Sequence, residues 1–453
     1  MNQPRVLVIG AGAAGLAAAT RAKRVHPEAA VTVFESGREF SRGTCSLPYY
    51  LSGEIEHREY LQGVSAQELA EAGVELHLET QVLEIHPHQR RVITAGPTLS
   101  YDRLIVATGS RPRATPFTDL AADLPGFWKL KTLADADKIL ADLRALGPRS
   151  VAVVGGGYVG LEVAEALRER GLHVTLFQRN STVARLHPRV DQLVEETFRR
   201  AGIEIRRSVE VEALTREQGS FSLSSRALDK KPQTERFDAV ALAHGIEPDA
   251  RLLERAGARL GPAGGVVVSA RGETSLSNVY ACGDGVELPN VWGGTPRWVP
   301  LATTAARLGR VCGENAVGGS LRIGSCQGAL TVRLFDGQLG SLGLPEDWAE
   351  SIEVPFHWGS DSPPFARRRG GGGVIFLDRR SEKIRGLQAF GAEASHLVDL
   401  ASLACEQGMT LEELSLQDFS YTPPLSSLWH PLYLAYRTRR KLSSRPQVGG
   451  VRQ

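Results

Sequence analysis

Cysteine is scarce in this sequence: the chain has five in 453 residues, and none of them belongs to a Cys-x-x-Cys motif. Cysteines and histidines do not fall at metal-ligand spacing either, so we predict neither a disulfide framework nor a metal site. The chain also lacks a hydrophobic run of about 18 residues and a signal-peptide pattern, which argues against a membrane span and against secretion. Its 53 basic and 51 acidic residues leave a net charge of +2, so no broad attraction to nucleic acid or membrane follows. We therefore predict a protein of the reducing cytoplasm.

The N-terminal segment has the pattern of a dinucleotide-binding βαβ unit. An apolar strand leads into three spaced glycines, an alanine-rich helix follows, and a second strand ends at Glu35. Glycines in this pattern permit a tight turn and a close approach of the backbone to a pyrophosphate, while the helix N-terminus offers N–H groups to the phosphates. An acidic residue at the end of the second strand accepts hydrogen bonds from a ribose. The segment therefore predicts a cofactor site that includes Gly10, Gly12, Gly15 and Glu35.

The same arrangement occurs a second time, around Gly155, Gly157 and Gly160. Two such units in one chain fit one bound flavin, FAD, and one exchangeable nicotinamide cofactor. The second unit ends in Gln178 and Arg179, which offer no carboxylate to a ribose hydroxyl, whereas an arginine pairs well with a 2′-phosphate. We therefore predict NADPH in preference to NADH. The alternative for Arg179 is a solvated surface charge, and in that case NADH would serve as well.

Further segments complete the predicted flavin site. The apolar strand in LIVATGS ends in a turn that contains Thr108 and Gly109. The segment NVYACGDG places Asp284 just past a short strand, where its carboxylate can accept from the ribityl chain of the flavin, and Cys282 beside it is predicted to be a packing residue. A helix that begins near Ala302 would point its positive N-terminal end at the flavin ring and stabilise the reduced, anionic form.

Cys45 stands alone in GTCSLPYYLSG, ten residues after Glu35. We predict that it lies at the start of a short helix, whose dipole lowers the pKa of a thiol. Since the segment has no second cysteine to close a disulfide, Cys45 would exchange electrons through a mixed disulfide, a persulfide or a sulfenate. The alternative is that Cys45 is a small buried hydrophobic residue.

The chain resembles the two-dinucleotide-binding flavoproteins, or pyridine nucleotide-disulfide oxidoreductases. It is most similar to their single-cysteine branch, which contains coenzyme A-disulfide reductases, coenzyme A persulfide reductases, and NADH oxidases or peroxidases. The dithiol members place a second cysteine five positions after the first, where this chain has Tyr50. The elements that carry the resemblance are CSLPYY, WVPLATTAARLGR, LTVRLFDGQLGSLGL and YTPPLSSLWHPL.

This resemblance implies an α/β fold with two Rossmann-like domains and a C-terminal α+β domain through which two subunits pair as a homodimer. We expect residues 1–112 and 245–319 to form a discontinuous FAD-binding domain around a nicotinamide-binding domain at 113–244. The dimerisation domain would span 325–436, and a disordered basic tail would follow at 437–453.

The resemblance also implies roles for individual side chains. Tyr158 matches the aromatic residue that covers the flavin on its nicotinamide side. Tyr421 matches a phenol that reaches the cysteine of the partner subunit and can donate a proton to a leaving thiolate. Arg21, Arg24 and Ser41 match positions that contact coenzyme A, although a solvated basic helix face is the alternative for the two arginines. A second tyrosine of the family is missing, since Pro363, Pro364 and Phe365 stand there, and Leu425 occupies a position that is often aromatic.

Three functions follow from these residues. The first is NAD(P)H-dependent reduction of a coenzyme A-type disulfide or persulfide through Cys45. The second is an NAD(P)H oxidase or peroxidase in which Cys45 cycles through a sulfenate. Ala13 counts against a peroxidase, because the family peroxidases have a histidine at that position. The third is a redox sensor or an electron carrier to a protein partner.

Overall fold

The computed structural model describes residues 3–114, 117, 124–217, 219–227, 230–290, 293–359, 370–422 and 426–444. The strands in these residues are, in chain order, β1 Arg5–Ile9, β2 Ala30–Phe34, β3 Val74–His77, β4 Val82–His86, β5 Arg91–Thr94, β6 Thr98–Ser100, β7 Arg103–Val106, β8 Ser110–Pro112, β9 Phe127–Lys129, β10 Ser150–Val154, β11 His173–Gln178, β12 Glu204–Arg207, β13 Val209–Glu217, β14 Ser220–Ala227, β15 Gln233–Phe237, β16 Ala239–Leu242, β17 Ile246–Pro248, β18 Val266–Val267, β19 Val279–Ala281, β20 Val286–Leu288, β21 Arg297–Trp298, β22 Leu330–Leu334, β23 Gly337–Leu342, β24 Ile352–Trp358, β25 Gly371–Leu377 and β26 Ile384–Gly391.

The helices in the same residues are α1 Ala13–Val25, α2 Leu47–Ser52, α3 Ala66–Glu71, α4 Leu133–Leu146, α5 Tyr158–Glu169, α6 Pro188–Arg200, α7 Arg251–Arg255, α8 Ala302–Ala316, α9 Pro345–Trp348, α10 Ala394–Glu406, α11 Leu411–Ser415 and α12 Pro431–Ser443. Among the described residues, no helix has both the length and the apolar character needed to cross a membrane.

The first of two compact units comprises Met1–Gly147 and His244–Cys326. Its central sheet has the strand order β19-β7-β1-β2-β3, and all its pairs are parallel. Val6 and Val8 of β1 are fully buried and Leu7 is nearly so, as expected for a central strand that is covered on both faces. The carboxyl end of β1 leads into the first glycine motif, which is where open α/β sheets bind their ligands.

Helices α1 and α8 of this unit pack with their backbones in contact. A β-carbon at Gly309 would lie 2.2 Å from the carbonyl oxygen of Ala14, and one at Gly313 would lie 2.1 Å from that of Ala18. The two glycines are four residues apart and therefore share one face of α8. Only glycine lets the helices approach this closely.

The second unit comprises Pro148–Ala243 and Gln327–Gln453. It contains a parallel sheet in which β10 lies between β11 and β16, with β12 next to β11, and an antiparallel sheet β13-β14-β15. The C-terminal part forms an antiparallel sheet of order β22-β23-β26-β25-β24, against which α10 packs. The predicted α/β class with two Rossmann-like domains and a C-terminal α+β segment is therefore confirmed.

The structure differs from the expected boundaries in the crossover. Residues 124–147 pack with the first unit, whereas the nicotinamide-binding domain was predicted to span 113–244 and so to include them. The reason is an apolar cluster in which Leu133 and Ala136 of α4 pack against Leu47 and Leu61. Helix α4 thereby belongs to the same unit as Cys45.

The disordered tail predicted for residues 437–453 is wrong in its first part, because α12 continues to Ser443. Polar contacts help to hold this helix: the Tyr436 hydroxyl donates to Glu412 at 2.7 Å, and the Arg439 guanidinium pairs with Glu382. Residues 445–453 lie outside the described residues, as do Leu425 and the segment that contains Pro363, Pro364 and Phe365.

Candidate active site

The first glycine motif forms an open turn at the N-terminus of α1. Gly10 has φ +101°, and a β-carbon there would lie 2.3 Å from the Ala107 carbonyl oxygen. A β-carbon at Gly15 would lie 1.9 Å from the Gly10 carbonyl oxygen, so this glycine lets helix and turn touch. Gly12, the N-cap, is exposed with open space in front of it, and no described side chain caps the helix. The first N–H groups of α1 are thus available to an anion.

Glu35 is held at the mouth of this turn. Its Oε2 accepts a hydrogen bond from the Ala11 N–H, and its Oε1 accepts one from the Gly37 N–H, both at 2.9 Å. Since each carboxylate oxygen accepts more than one hydrogen bond, the group keeps capacity for ribose hydroxyls. The carboxylate therefore stands where the sequence predicts the adenosine end of FAD.

Asp284 lies beside the turn that contains Thr108 and Gly109. The Ser110 hydroxyl donates to Asp284 Oδ2 at 2.9 Å, and the Trp298 indole N–H donates to the Asp284 carbonyl oxygen at 2.7 Å. Thr108 donates its hydroxyl proton to the Asp249 carbonyl oxygen at 2.7 Å, while the space in front of Gly109 is open. The structure thus brings together two segments that are far apart in the sequence.

Helix α8 also begins without a side-chain cap among the described residues, and Ala302 at its first position is exposed. The first unit therefore offers two bare helix N-termini, the carboxylates of Glu35 and Asp284, and open backbone at Gly12 and Gly109. This donor and acceptor set fits the pyrophosphate, ribose and ribityl groups of FAD.

Cys45 is exposed and lies in a 3-10 turn, Thr44–Ser46, that leads directly into α2. Its exposure excludes the alternative of a buried packing residue. Four residues earlier, Ser41 has φ +50°, a left-handed conformation that is unfavourable for a residue with a β-carbon. The Val64 N–H donates to the Ser41 hydroxyl at 2.7 Å, and the Ser41 N–H donates to the Ala11 carbonyl oxygen at 3.0 Å. These bonds tie the chain before Cys45 to the glycine turn.

The helix that follows Cys45 is anchored by Tyr50. Its hydroxyl donates to Asp137 Oδ1 of α4 at 3.0 Å, and burial together with this bond raises the pKa of the Tyr50 phenol. Arg58 bridges Asp137 at 3.1 Å and Glu39 at 2.9 Å. The residue that replaces the second cysteine of the dithiol enzymes therefore fixes α2 in place.

The three residues predicted to contact coenzyme A differ in their surroundings. Arg21 is partly buried, and its Nε donates to Glu314 of α8 at 2.8 Å. Arg24, one turn further along α1, is exposed. Ser41 keeps its hydroxyl proton available, because the hydroxyl oxygen is the acceptor in its bond to Val64. Arg24 and Ser41 are open to a ligand, whereas Arg21 already has a counter-ion.

The second glycine motif repeats the geometry of the first. Gly155 has φ +111°, a β-carbon at Gly160 would lie 1.9 Å from the Gly155 carbonyl oxygen, and Gly157 is an exposed N-cap in front of open space. Gln178 is buried: its Oε1 accepts from the Gly156 N–H at 3.1 Å, and its amide donates to the Thr182 carbonyl oxygen at 2.8 Å. At the end of the second strand, where many dinucleotide-binding sites have an acidic residue, this chain therefore has an amide whose two polar atoms are both hydrogen-bonded.

Two exposed arginines, Arg179 and Arg185, lie near this turn. Arg179 is 73% exposed, and its Nη1 lies 3.8 Å from Glu210. Arg185 is also exposed and follows Ala184; both have left-handed φ angles, 47° and 55° for Ala184 and Arg185. The Ala184 N–H donates to the Gly156 carbonyl oxygen at 2.7 Å, which holds this turn against the glycine motif. Arg185, six positions after Arg179, was not predicted from the sequence.

Helix α5 carries three buried or partly buried titratable groups. Burial raises the pKa of the Tyr158 phenol, which shares a hydrogen bond with Ser341 of β23. Burial also raises the pKa values of Glu162 and Glu165 to about 7 each. Glu165 Oε1 accepts from the Phe335 N–H at 2.6 Å. These two acids were not predicted as site residues, although two acids three residues apart on a mostly apolar helix indicate buried carboxyl groups.

Tyr421 lies in the second unit and is exposed, so its hydroxyl is accessible. His430, nine residues further along the chain, is the N-cap of α12: its Nδ1 accepts from the Leu432 N–H at 3.3 Å, and its ring stacks on Phe419 with ring centres 3.8 Å apart. Burial lowers the pKa of His430 to about 4, so the ring is neutral near pH 7 and is not a proton donor there. Among the described residues, no cluster of histidine, cysteine and acidic side chains is arranged to hold a metal ion.

Comparisons with known proteins agree with this architecture. The family model for pyridine nucleotide-disulphide oxidoreductases matches residues 4–309. The chain is 30% identical over 453 residues to an NAD(P)H sulfur oxidoreductase (CoA-dependent) of Pyrococcus furiosus, a match that covers 96% of this chain and 99% of that protein. It is 26% identical over 448 residues to a coenzyme A disulfide reductase of Staphylococcus aureus, covering 94% and 97% of the two chains.

A solved NAD-dependent persulfide reductase from A. fulgidus has the same fold. It superimposes with a TM-score of 0.90 at 29% identity, over 97% of this chain and 83% of that one. The two glycine motifs, the matched family model and the similarity along nearly the whole chain lead to one conclusion: this protein belongs to the pyridine nucleotide-disulphide oxidoreductase family, whose members use FAD and NAD(P)H.

Proposed function

We propose that the protein is an FAD-dependent NAD(P)H reductase that reduces a coenzyme A-type disulfide or persulfide through Cys45. The observation that carries this proposal is the exposed Cys45, which leads into α2 and is tied through Ser41 to the glycine turn that fits FAD. An exposed thiol at a helix start is the environment that favours a reactive thiolate.

In the proposed reaction the Cys45 thiolate attacks one sulfur of the substrate disulfide. The substrate S–S bond breaks, a first thiolate leaves, and Cys45 is left in a mixed disulfide with the other half. Bound FAD would supply the two electrons, taken from NADPH, that reduce this mixed disulfide. Its reduction releases the second thiolate and restores the Cys45 thiolate. We assign to Tyr421 of a partner subunit the donation of a proton to a leaving thiolate.

Two open side chains favour coenzyme A as the carrier of the substrate sulfur. Arg24 is an exposed cation on α1, and a guanidinium binds phosphate oxygens in bidentate geometry. The Ser41 hydroxyl is the second open group, and Arg21 contributes to phosphate binding only if it exchanges Glu314 for the ligand. We also propose that the protein is a homodimer that pairs through its C-terminal domain, where exposed apolar side chains include Leu416, Leu428 and Trp429.

A comparison of acceptors tests this function. Purified protein supplied with FAD is expected to oxidise NADPH faster with coenzyme A disulfide or coenzyme A persulfide than with glutathione disulfide or O₂. Mass spectrometry of protein denatured without reductant should find a coenzyme A adduct on Cys45. Turnover that depends only on O₂, with a sulfenate on Cys45 and no adduct, would instead establish the oxidase.

Arg179→Ala is expected to lower kcat/KM for NADPH by about tenfold, the effect of losing one charge-assisted hydrogen bond to a phosphate. The value for NADH should stay the same, because NADH has no 2′-phosphate. Two observations favour NADPH as the hydride donor. The guanidinium of Arg179 is exposed, and the side chain of Gln178 replaces an acid that would repel the 2′-phosphate.

The matched control for this experiment is Arg236→Ala, which removes another exposed arginine of the same unit. Steady-state kinetics with both nicotinamide cofactors provide the measurement. If the wild type used NADH at least as well as NADPH, and Arg179→Ala changed neither, Arg179 would have no role in reading the phosphate.

A further inference from the structure

Asp284 is the end of a chain of hydrogen bonds that starts at a cation. The Lys131 ammonium donates to the Ser110 hydroxyl oxygen at 2.9 Å, and the Ser110 hydroxyl in turn donates to Asp284 Oδ2 at 2.9 Å. Each bond polarises the next, since a hydroxyl that accepts from a cation becomes a stronger donor. Neither Lys131 nor Ser110 has a role in the proposed reaction described above.

The backbone of Lys131 is fixed by the start of α4. Thr132 is the N-cap of this helix and forms a capping box with Asp135, whose Oδ2 accepts from the Thr132 N–H at 2.8 Å and from the Lys131 N–H at 3.1 Å. The Lys131 side chain therefore starts from a rigid point and loses less conformational freedom when it reaches Ser110.

The same helix also holds the Cys45 turn. Asp137 of α4 accepts from Tyr50 of α2 at 3.0 Å, and Leu133 of α4 packs in one apolar cluster with Leu47 of α2. Helix α4 thereby connects, within the first unit, the acid predicted to bind the ribityl chain with the element that follows the reactive thiol. Lys131 directly precedes the N-cap of this helix and reaches the acid through Ser110.

We propose that Lys131, acting through Ser110, is a positioning residue for the flavin: it holds the Asp284 carboxylate in one orientation and offsets its negative charge. This inference rests on the proposed FAD site. It has two consequences. A fixed Asp284 binds the ribityl chain without first being ordered, which strengthens FAD binding. A nearby cation also favours the reduced, anionic flavin, which raises the reduction potential.

The test uses full-length protein with three variants: Lys131→Met, which keeps the length of the side chain but removes its charge, Lys131→Arg, which keeps the charge, and Ser110→Ala, which breaks the chain. The control is Lys129→Met, since Lys129 is exposed two residues earlier. The FAD dissociation constant is measured by titration of apoprotein, and the reduction potential by equilibration with redox dyes. Thermal unfolding of each apoprotein checks that the variants fold.

Lys131→Met and Ser110→Ala are expected to raise the FAD dissociation constant about tenfold, because each leaves Asp284 without its charge-assisted support. Lys131→Met should also shift the reduction potential of the flavin to a more negative value. Lys131→Arg, which keeps the positive charge, should have a potential close to that of the wild type. The inference is overturned if Lys131→Met has the same dissociation constant and reduction potential as Lys129→Met. It is also overturned if Lys131→Arg weakens FAD binding and lowers the potential as much as Lys131→Met does. A wild type that binds no FAD would refute the proposed function itself.

Discussion

Cys45→Ser is expected to lose reduction of coenzyme A disulfide or persulfide by roughly a thousandfold or more, because a serine hydroxyl is not ionised near neutral pH and is a far weaker nucleophile than a thiolate. The structure places this side chain on an exposed turn, so the substitution removes a reactive group without disturbing a packed core. Reduction of bound FAD by NADPH should continue, since the electrons enter before they reach Cys45.

Rapid-mixing spectroscopy separates these two steps. The variant should bleach the flavin absorbance with NADPH at a near-normal rate, and it should lack the long-wavelength absorption that a thiolate gives beside an oxidised flavin. Thr44→Ser, on the same exposed turn, is the control and should keep both the band and the turnover. Undiminished reductase turnover in Cys45→Ser would show that the sulfur chemistry uses another residue, and slow oxygen consumption by the variant would not alter that conclusion.

Gly309→Ala is expected to destabilise the protein by about 3 kcal/mol, the upper range for overpacking a tight contact. A glycine-to-alanine substitution inside a helix ordinarily stabilises a protein by about 1 kcal/mol, so the change in stability expected here has the opposite sign. The added β-carbon would lie 2.2 Å from the Ala14 carbonyl oxygen, so α1 and α8 must move apart. Because both helices begin at the predicted FAD site, the variant should also release FAD more readily.

Urea unfolding followed by circular dichroism measures this effect, with Arg310→Ala as the control at an exposed position of the same helix. The control should change stability by less than about 0.5 kcal/mol. An unfolding midpoint of Gly309→Ala at or above that of the wild type would mean that the two backbones are not in contact.

The parts of this protein that sequence reasoning predicted are those with local signals. Both βαβ units follow from an apolar strand, three glycines and a helix within a short stretch of chain, and the structure contains both of them. The position of Cys45 before a short helix is equally local, because Pro48 at the start of α2 and Gly53 at its end delimit that helix.

Other features were missed because their partners are distant in the sequence. The basic composition after residue 437 indicates a tail, but Arg439 has a counter-ion in Glu382 that makes the segment part of α12. The glycines at the end of ARRRGGGG, residues 366–373, by themselves predict a hairpin loop. In the structure Gly371 and Gly373 belong to β25, where the rings of Trp358 and Phe356 occupy the space that a β-carbon would need. The local sequence pattern does not reveal the counter-ion of Arg439 or the aromatic rings that cover the two glycines.

The fold class, the two cofactor-binding turns and the lone cysteine of the GTCSLPYYLSG segment follow from the sequence alone, because glycine spacing, strand periodicity and helix starts act through neighbours in the chain. Three other features follow only from the folded chain: Arg21 is paired with Glu314, α4 joins the unit of Cys45, and Lys131 reaches Asp284 through Ser110. These contacts join segments up to 293 residues apart. Charge pairing and apolar packing depend on distance in space, and the folded chain alone sets that distance.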